Sequence, residues 1–201
     1  LTTTIKQLSN DPITLAPSYT EGLESAASAS YGPGPMGFTG LDRCDFHSTT
    51  HSSRAQGRVR TFANTGMCRT GNRCAILDQS PTDTSTVFAP TADSLIMTFN
   101  LSNYTASDQL WLDFYYRNQG CDSGYGDNKV WIRGNDQAAW VQVCTLDTDQ
   151  ANIGVYQASA HIDISGTLKN ASPAQTISSS FQIKFGEQGR NTANDVYPDG
   201  S

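Results

Sequence analysis

The sequence predicts an all-β protein and, within that class, an antiparallel two-sheet jelly-roll β-sandwich. Many short segments alternate apolar and polar residues with the period of two that marks a β-strand, and Gly-, Pro-, Asn- and Asp-rich turns separate them. No amphipathic helical pattern is longer than a turn or two. Many short strands with regular turn signals are typical of sandwiches and jelly rolls.

The predicted strands follow one another along most of the chain. They cover residues 57–62, 74–77, 94–101, 110–116, 130–132, 140–143, 160–164 and 179–185. Two of them alternate cleanly enough to assign an inward face. The predicted inward residues are Leu95, Met97, Phe99 and Leu101 in the first, and Phe181, Ile183 and Phe185 in the second. Residues 168–175 are predicted as a loop with at most one helical turn.

The N-terminal residues 1–40 differ in composition from the jelly-roll domain predicted over residues 41–201. Residues 25–30 are all Ser and Ala, and the Gly-Pro-Gly-Pro stretch within residues 31–37 is not expected to form regular structure. This segment is a linker, a first strand of the domain, or a tail that pairs with another chain. Because the chain starts at Leu1 rather than Met, we expect it to be a processed or excised piece of a longer precursor.

The composition indicates a secreted or cell-surface protein. Hydrophobic residues make up 37% of the chain and charged residues only 16%, so neutral polar groups supply most of the solubility. No apolar run approaches the ~18 residues of a membrane span, which argues against membrane insertion. The net charge of −6 argues against nucleic acid as a partner. Six arginines between residues 42 and 74 nevertheless form a local cationic stretch, either a solvated face or a contact for an anionic surface or glycan.

Five cysteines are compatible with two disulfides in an extracellular protein. Cys68 and Cys74 flank a Gly-Asn turn, and bridging so short a loop would contribute on the order of 2 kcal/mol. Cys121 and Cys144 bracket the central strands and form the second predicted pair, which leaves Cys44 over. Connectivity is not fixed by sequence, and zinc is the competing interpretation.

Two large aromatic side chains share the predicted outward face of residues 110–116. Leu110, Leu112, Phe114 and Tyr116 alternate on the inward face, so Trp111, Asp113 and Tyr115 point outward. Rings four residues apart on a strand lie roughly 13 Å from each other, which is the reach of a short oligosaccharide. Trp131 has the same parity beside Val130 and Ile132 and is predicted to join them. The alternative is that these rings pack beneath a loop, the N-terminal segment or a neighbouring subunit.

A structural Ca²⁺ ion is the one cofactor that the sequence suggests. Calcium takes six to eight oxygen ligands, often from acidic loops. The predicted ligands are Asp122 and Asp127 in one loop and Asp147 and Asp149 in another, and the alternative is that these loops are solvated turns. No nucleophile elbow, zinc-protease motif or phosphate-binding loop is present, so the chain is not expected to be an enzyme.

The order of several segments resembles a jelly-roll module of secreted Bacteroidetes proteins. The segments that carry the resemblance are GRVRTF, SLIMTFNLSNY, LWLDFYYRNQG, NKVWIRG and SSFQIKFGEQG, within residues 40–190. They are similar to cleaved-adhesin domains of surface proteases and haemagglutinins, and more distantly to MAM domains. The resemblance implies a two-sheet jelly roll, export by a type IX-type route, attachment or adhesion rather than catalysis, and often structural calcium. It also implies a last strand beyond Ser201, which we expect to be either cut off or donated by another chain.

Three functions follow as expectations. The first is a non-catalytic, adhesin-like surface module that binds glycan or protein partners. The second is a structural subunit of an extracellular assembly, completed by strand exchange between copies of the chain. The third is an accessory module of a secreted hydrolase whose catalytic part lies outside these 201 residues.

Overall fold

The computed structural model describes eleven ranges of the chain, and the description below is limited to them. They are residues 11–14, 18–25, 29–31, 34–37, 44–49, 57–63, 68–79, 91–105, 107–118, 128–146 and 150–189. Within these ranges the protein is all-β, with its strands in antiparallel sheets and almost no helix. None of the helical turns in the described ranges has the length and apolar character that crossing a membrane requires.

The described strands number thirteen, and one α-helix and one 3₁₀ turn accompany them. The strands are β1 (Ala29–Tyr31), β2 (Gly34–Gly37), β3 (Cys44–Thr49), β4 (Gly57–Ala63), β5 (Arg73–Gln79), β6 (Thr91–Phe99), β7 (Trp111–Leu112), β8 (Tyr115–Arg117), β9 (Lys129–Arg133), β10 (Val141–Thr145), β11 (Tyr156–Ala158), β12 (Ile162–Asp163) and β13 (Phe181–Gly189). The helix α1 spans Ile164–Lys169, and the 3₁₀ turn spans Gln150–Asn152.

The largest sheet among the described residues has six strands in the order β10-β9-β13-β6-β3-β2. Its longest pairing joins β13 to β6, from Phe181 opposite Phe99 to Gly189 opposite Thr91. The last described strand therefore lies in the middle of this sheet, between β9 and β6. A separate three-stranded sheet has the order β1-β4-β5.

The hydrophobic core lies against one face of the six-stranded sheet. The residues predicted to point inward are there: Leu95, Met97, Phe99, Leu101, Phe181 and Ile183 are buried, and Phe185 packs against them. Val130 and Ile132 are completely buried in the same core, at 0% exposure. Ala75 and Leu77 of β5 pack against it from the three-stranded sheet. The predicted inward faces of these strands are confirmed.

A narrow two-stranded ribbon covers part of this core. We use "the ribbon" for residues 110–117 together with residues 156–164, which pair as β8 with β11 and β7 with β12. Leu110, Leu112 and Phe114 of the ribbon pack on the core. The Phe114 ring meets the Phe185 ring edge-on, with centroids 5.0 Å apart. The strand predicted over residues 110–116 is thus real but interrupted at residues 113 and 114.

Helix α1 ends the ribbon where the sequence predicts a strand to continue. The Asp163 side chain accepts a hydrogen bond from the Gly166 N–H at 2.8 Å, which caps the N-terminus of the helix. Ile164 and Leu168, four residues apart, then bury one face of the helix in the core. The prediction that Ile164 lies in a strand is wrong, because the helix capped by Asp163 begins at Ile164.

The second half of the Gly-Pro stretch before residue 38 forms regular structure, contrary to the prediction. Its residues 34–37 are β2, which pairs with β3, and Ala29–Tyr31 is β1, which pairs with β4. Strand β2 lies at an edge of the six-stranded sheet, where Pro35 is tolerated because an edge strand has one side without ladder hydrogen bonds. Residues 29–31 and residues 34–37 therefore pair with strands that follow residue 40 in the chain.

Candidate functional site

The outward face of the ribbon carries the two exposed aromatic rings. Trp111 keeps 45% and Tyr115 51% of its surface exposed, whereas Leu110, Leu112, Phe114 and Tyr116 are less exposed. The predicted parity of this strand is confirmed. Asp113, between the two rings in sequence, is exposed on the same face, since alternate residues of a strand share one side.

A β-bulge brings a histidine to this face. Leu112 pairs with Ile162, and Tyr116 pairs with Gln157. From Leu112 to Tyr116 the chain advances by four residues, whereas from Gln157 to Ile162 it advances by five. The second strand of the ribbon therefore contains one extra residue between Gln157 and Ile162. The extra residue changes the register and sets His161 beside Asp113. Bulges commonly redirect a side chain in this way next to functional sites.

His161 bridges the ring of Trp111 and the carboxylate of Asp113. Its imidazole stacks on the indole with ring centroids 4.2 Å apart and an angle of 12° between the planes. Its Nδ1 lies 2.7 Å from Asp113 Oδ1. Both side chains are more than half exposed, at 56% and 61%, so this polar contact contributes little to stability but orients the imidazole.

Tyr115, at the other end of the row, is stacked by an arginine from a distant loop. The Arg69 guanidinium carbon lies 3.3 Å from the centroid of the Tyr115 ring. The main chain of Arg69 also forms a hydrogen bond with Tyr156, whose pKa is raised chiefly by burial. We call Trp111, Asp113, Tyr115, His161 and Arg69 the outward cluster.

The loop that carries Arg69 is held at both ends. Cys68 and Cys74, the first predicted disulfide pair, are thiols whose Sγ atoms lie 2.7 Å apart. Burial, and then the contact with Cys68, raises the pKa of Cys74 to about 12. Within the loop, the N–H groups of Asn72 and Arg73 donate hydrogen bonds to the Glu24 carboxylate, at 3.0 and 3.1 Å from Oε1.

Gly71 makes that contact with Glu24 possible. Its φ of +64° lies in the left-handed region that favours glycine, and a Cβ atom on it would collide with the Glu24 carboxylate. Glu24 therefore docks into a concave turn of backbone N–H groups, and the loop is positioned against the remainder of the protein by a residue 48 positions away in sequence.

Trp131 does not join the outward cluster. Val130 and Ile132 point into the core, so Trp131 points away from it on the outer face of the six-stranded sheet, and the core separates it from Trp111. Lys184, its partner in the neighbouring strand, places Nζ 4.3 Å from the Trp131 ring and 4.6 Å from the Trp140 ring. The prediction that all three aromatic residues share one surface is corrected by the location of β9 in the six-stranded sheet.

The contacts around Trp131 form a packed surface layer rather than an open platform. Arg133 lies over the Trp140 ring at 4.2 Å, and its Nε donates a hydrogen bond to Gln182 Oε1 at 2.7 Å. Burial lowers the pKa of both Lys184 and Arg133, and the neighbouring Arg133 charge lowers that of Lys184 further. Trp131 and Trp140 are also less exposed than Trp111 and Tyr115, so they leave less ring surface for a ligand.

Several predicted site residues lie outside the described ranges. These are Asp122, Asp127, Asp147 and Asp149 of the predicted calcium loops, and Cys121 of the second predicted disulfide. In the part of the chain that is described, no three His, Cys, Asp or Glu residues are grouped as metal ligands. Cys144 is a half-buried thiol in β10, and burial raises its pKa.

The sequence singled out Arg69 only as one of six arginines in a cationic stretch, and it indicated neither the contact of Arg69 with Tyr115 nor that of His161 with Trp111. The register between the two strands of the ribbon is what brings His161 to Trp111, and a loop 46 residues away supplies Arg69. A scan against protein-family models finds no match to this chain, and searches of curated proteins and of solved structures find none either. The chemistry of the outward cluster is therefore the basis for a functional proposal.

Proposed function

We propose that the chain is a non-catalytic, adhesin-like module of a secreted or cell-surface protein, which binds glycan or protein partners through the outward cluster. The observation that carries this proposal is the pair of half-exposed rings, Trp111 and Tyr115, on one face around Asp113. Large exposed aromatics are uncommon on soluble proteins and frequent where a partner binds.

The cluster combines the groups that a sugar ring requires. Aromatic rings present an apolar surface, on which the apolar face of a sugar stacks, while Asp113 and His161 can exchange hydrogen bonds with hydroxyl groups. The rings do not stand alone, since His161 and Arg69 each cover part of one. These two contacts restrain the rings, and a restrained surface loses less entropy when a ligand binds.

The two-sheet jelly roll belongs to the same proposal, as does the likeness to cleaved-adhesin modules exported by Bacteroidetes. The core contacts support a sandwich: the six-stranded sheet supplies one side of the core, and the three-stranded sheet and the ribbon supply residues from the other. The antiparallel pairing of all described strands is also what a jelly roll requires.

Strand exchange between copies is a less favoured function. Donation of a strand needs a sheet edge with free backbone groups. Of the two edges of the six-stranded sheet, β2 contains Pro35 and β10 has a register shift between Gln142 and Cys144. Proline and bulges at edges are features that prevent edge-to-edge pairing. Native mass measurement that found a polymer rather than a monomer would favour strand exchange over the adhesin-like function.

The double variant Trp111→Ala/Tyr115→Ala tests the binding surface. Binding to a printed array of oligosaccharides and to immobilised surface proteins should fall to background in this variant, while circular dichroism and gel filtration remain those of the folded protein. Trp131→Ala is the matched control, because it removes a tryptophan from the opposite side of the core and should leave binding unchanged. Equal binding by the double variant and the wild-type chain would refute the proposal.

A further inference from the structure

We propose that the outward cluster selects ligands that carry a carboxylate, and that Arg69 is the residue that receives it. The expected ligand class is an acidic saccharide, in which a uronic or sialic sugar lies beside Tyr115. This inference rests on the proposed function and adds the chemical class of the ligand and the residue that determines it.

The first step is the state of the Arg69 side chain. It is exposed, and within the described part of the chain its guanidinium group has one contact, the stacked contact with the Tyr115 ring. A guanidinium that stacks on a ring keeps its N–H groups in its own plane, directed away from the ring edge. Those donors have the fork geometry that binds a carboxylate through two parallel hydrogen bonds.

The second step is that the nearby acids are already engaged. Asp113, on the same face, lies 2.7 Å from His161 Nδ1. Glu24, which reaches the Arg69 loop, accepts hydrogen bonds from the Asn72 and Arg73 N–H groups. Among the described residues of the cluster, the positive charge of Arg69 is therefore the one that an incoming anion would neutralise.

The third step is that Arg69 is held in place before a ligand arrives. The loop is closed by the contact between Cys68 and Cys74 and docked by Glu24, and the Arg69 main chain bonds to Tyr156. The Tyr115 ring then fixes the plane of the guanidinium. A preorganised arginine binds a planar anion with less loss of side-chain entropy than a free one.

The geometry places the acid group at one end of the ligand. Trp111 and Tyr115 are four residues apart on the ribbon, roughly 13 Å along the strand, and Arg69 lies at the Tyr115 end. A short oligosaccharide that spans the two rings would bring its terminal sugar next to the guanidinium. The acid is therefore expected on a terminal residue rather than in the middle of the chain.

The experiment compares matched neutral and acidic ligands. Wild-type protein is applied to a printed array that contains neutral and carboxylate-bearing oligosaccharides, and the best acidic ligand is then measured by interferometry beside its methyl ester, which has the same sugar but no charge. We expect the ester to bind at least about tenfold more weakly, because a charge-assisted hydrogen bond is lost. High salt should reduce the difference, since the charges lie at the surface.

Three variants assign the effect to Arg69. Arg69→Gln should bind acid and ester equally, and Arg69→Lys should keep only part of the preference, because an ammonium group lacks the bidentate fork. Lys169→Gln, which removes an exposed cation from the end of α1, should behave as the wild type. Retained melting temperatures would show that all three variants fold.

The outcomes separate this inference from the proposed function. Binding of acid and ester with equal affinity, a preference for neutral ligands, or a preference that Arg69→Gln retains would overturn the role of Arg69 and leave a glycan-binding function standing. Absence of binding to every sugar on the array would overturn this inference and glycan binding together, and the proposed function would then depend on binding to the immobilised surface proteins.

Discussion

Replacing His161 with alanine removes two contacts from the outward cluster at once. The stack on Trp111, at a centroid distance of 4.2 Å, should contribute about 0.5–1.5 kcal/mol. The contact between His161 Nδ1 and Asp113 is exposed and should contribute about 0–1 kcal/mol. We therefore expect His161→Ala to lower the free energy of unfolding by about 1–2 kcal/mol and, for a domain of this size, the melting temperature by about 2–8 °C.

A double-mutant cycle in urea isolates the ring contact from the other effects. Unfolding is measured for the wild type, Trp111→Ala, His161→Ala and the double variant, and the coupling energy should be about 0.5–1.5 kcal/mol. The control cycle pairs His161 with Trp131, which lies across the core and should be additive within ~0.5 kcal/mol. If the first cycle is additive as well, the two rings do not stack in solution, and the bulge does not set His161 where we describe it.

Four further predictions concern the scaffold. Gly134→Ala should lower stability by about 1–3 kcal/mol, measured by urea unfolding, because its Cβ would meet the carbonyl oxygen of Thr176; wild-type stability would show that the backbone moves aside. Non-reduced peptide mapping should find Cys68 bridged to Cys74. The reduced protein should lose stability relative to the bridged form as the pH rises from 9.0 towards about 12, because the folded state holds the Cys74 proton more tightly than the unfolded state; parallel pH profiles would contradict this. Chelation with EDTA should lower the melting temperature by several degrees if the acidic loops at residues 122–127 and 147–149 hold calcium, and an unchanged melt with no metal in the purified protein would remove that site.

The strands with the clearest alternation were the ones that sequence reasoning described correctly. In β6 and β13, large apolar residues occupy every second position, and a one-residue error would expose all of them, so the pattern determines the buried face. The same rule gave the outward direction of Trp111 and Tyr115. The side of a strand on which a residue lies depends only on its position along that strand, so a single sequence is enough to predict it.

The partner that a side chain contacts on a neighbouring strand or a distant loop is not determined by local sequence. These contacts could not be predicted. The partner of Trp111 depends on one extra residue between Gln157 and Ile162, and the stacking of Arg69 on Tyr115 depends on how a distant loop docks. Pro35 is a residue for which the local signal was misleading. Proline disfavours a strand, but Pro35 lies in an edge strand, where pairing on one side is still possible. The N-cap at Asp163 does have a sequence signal, an Asp directly before Ile164 and Leu168, which are apolar and four residues apart.

The most direct test of the central claim is an NMR titration that follows the indole N–H signals of the three tryptophans. Trp111 lies in the outward cluster, while Trp131 and Trp140 lie in the cation–π layer on the six-stranded sheet. On addition of an oligosaccharide that the array identifies, the Trp111 signal should shift and saturate, and the other two signals should stay in place. Saturable shifts of Trp131 or Trp140 with an unmoved Trp111 would contradict a binding surface on the ribbon.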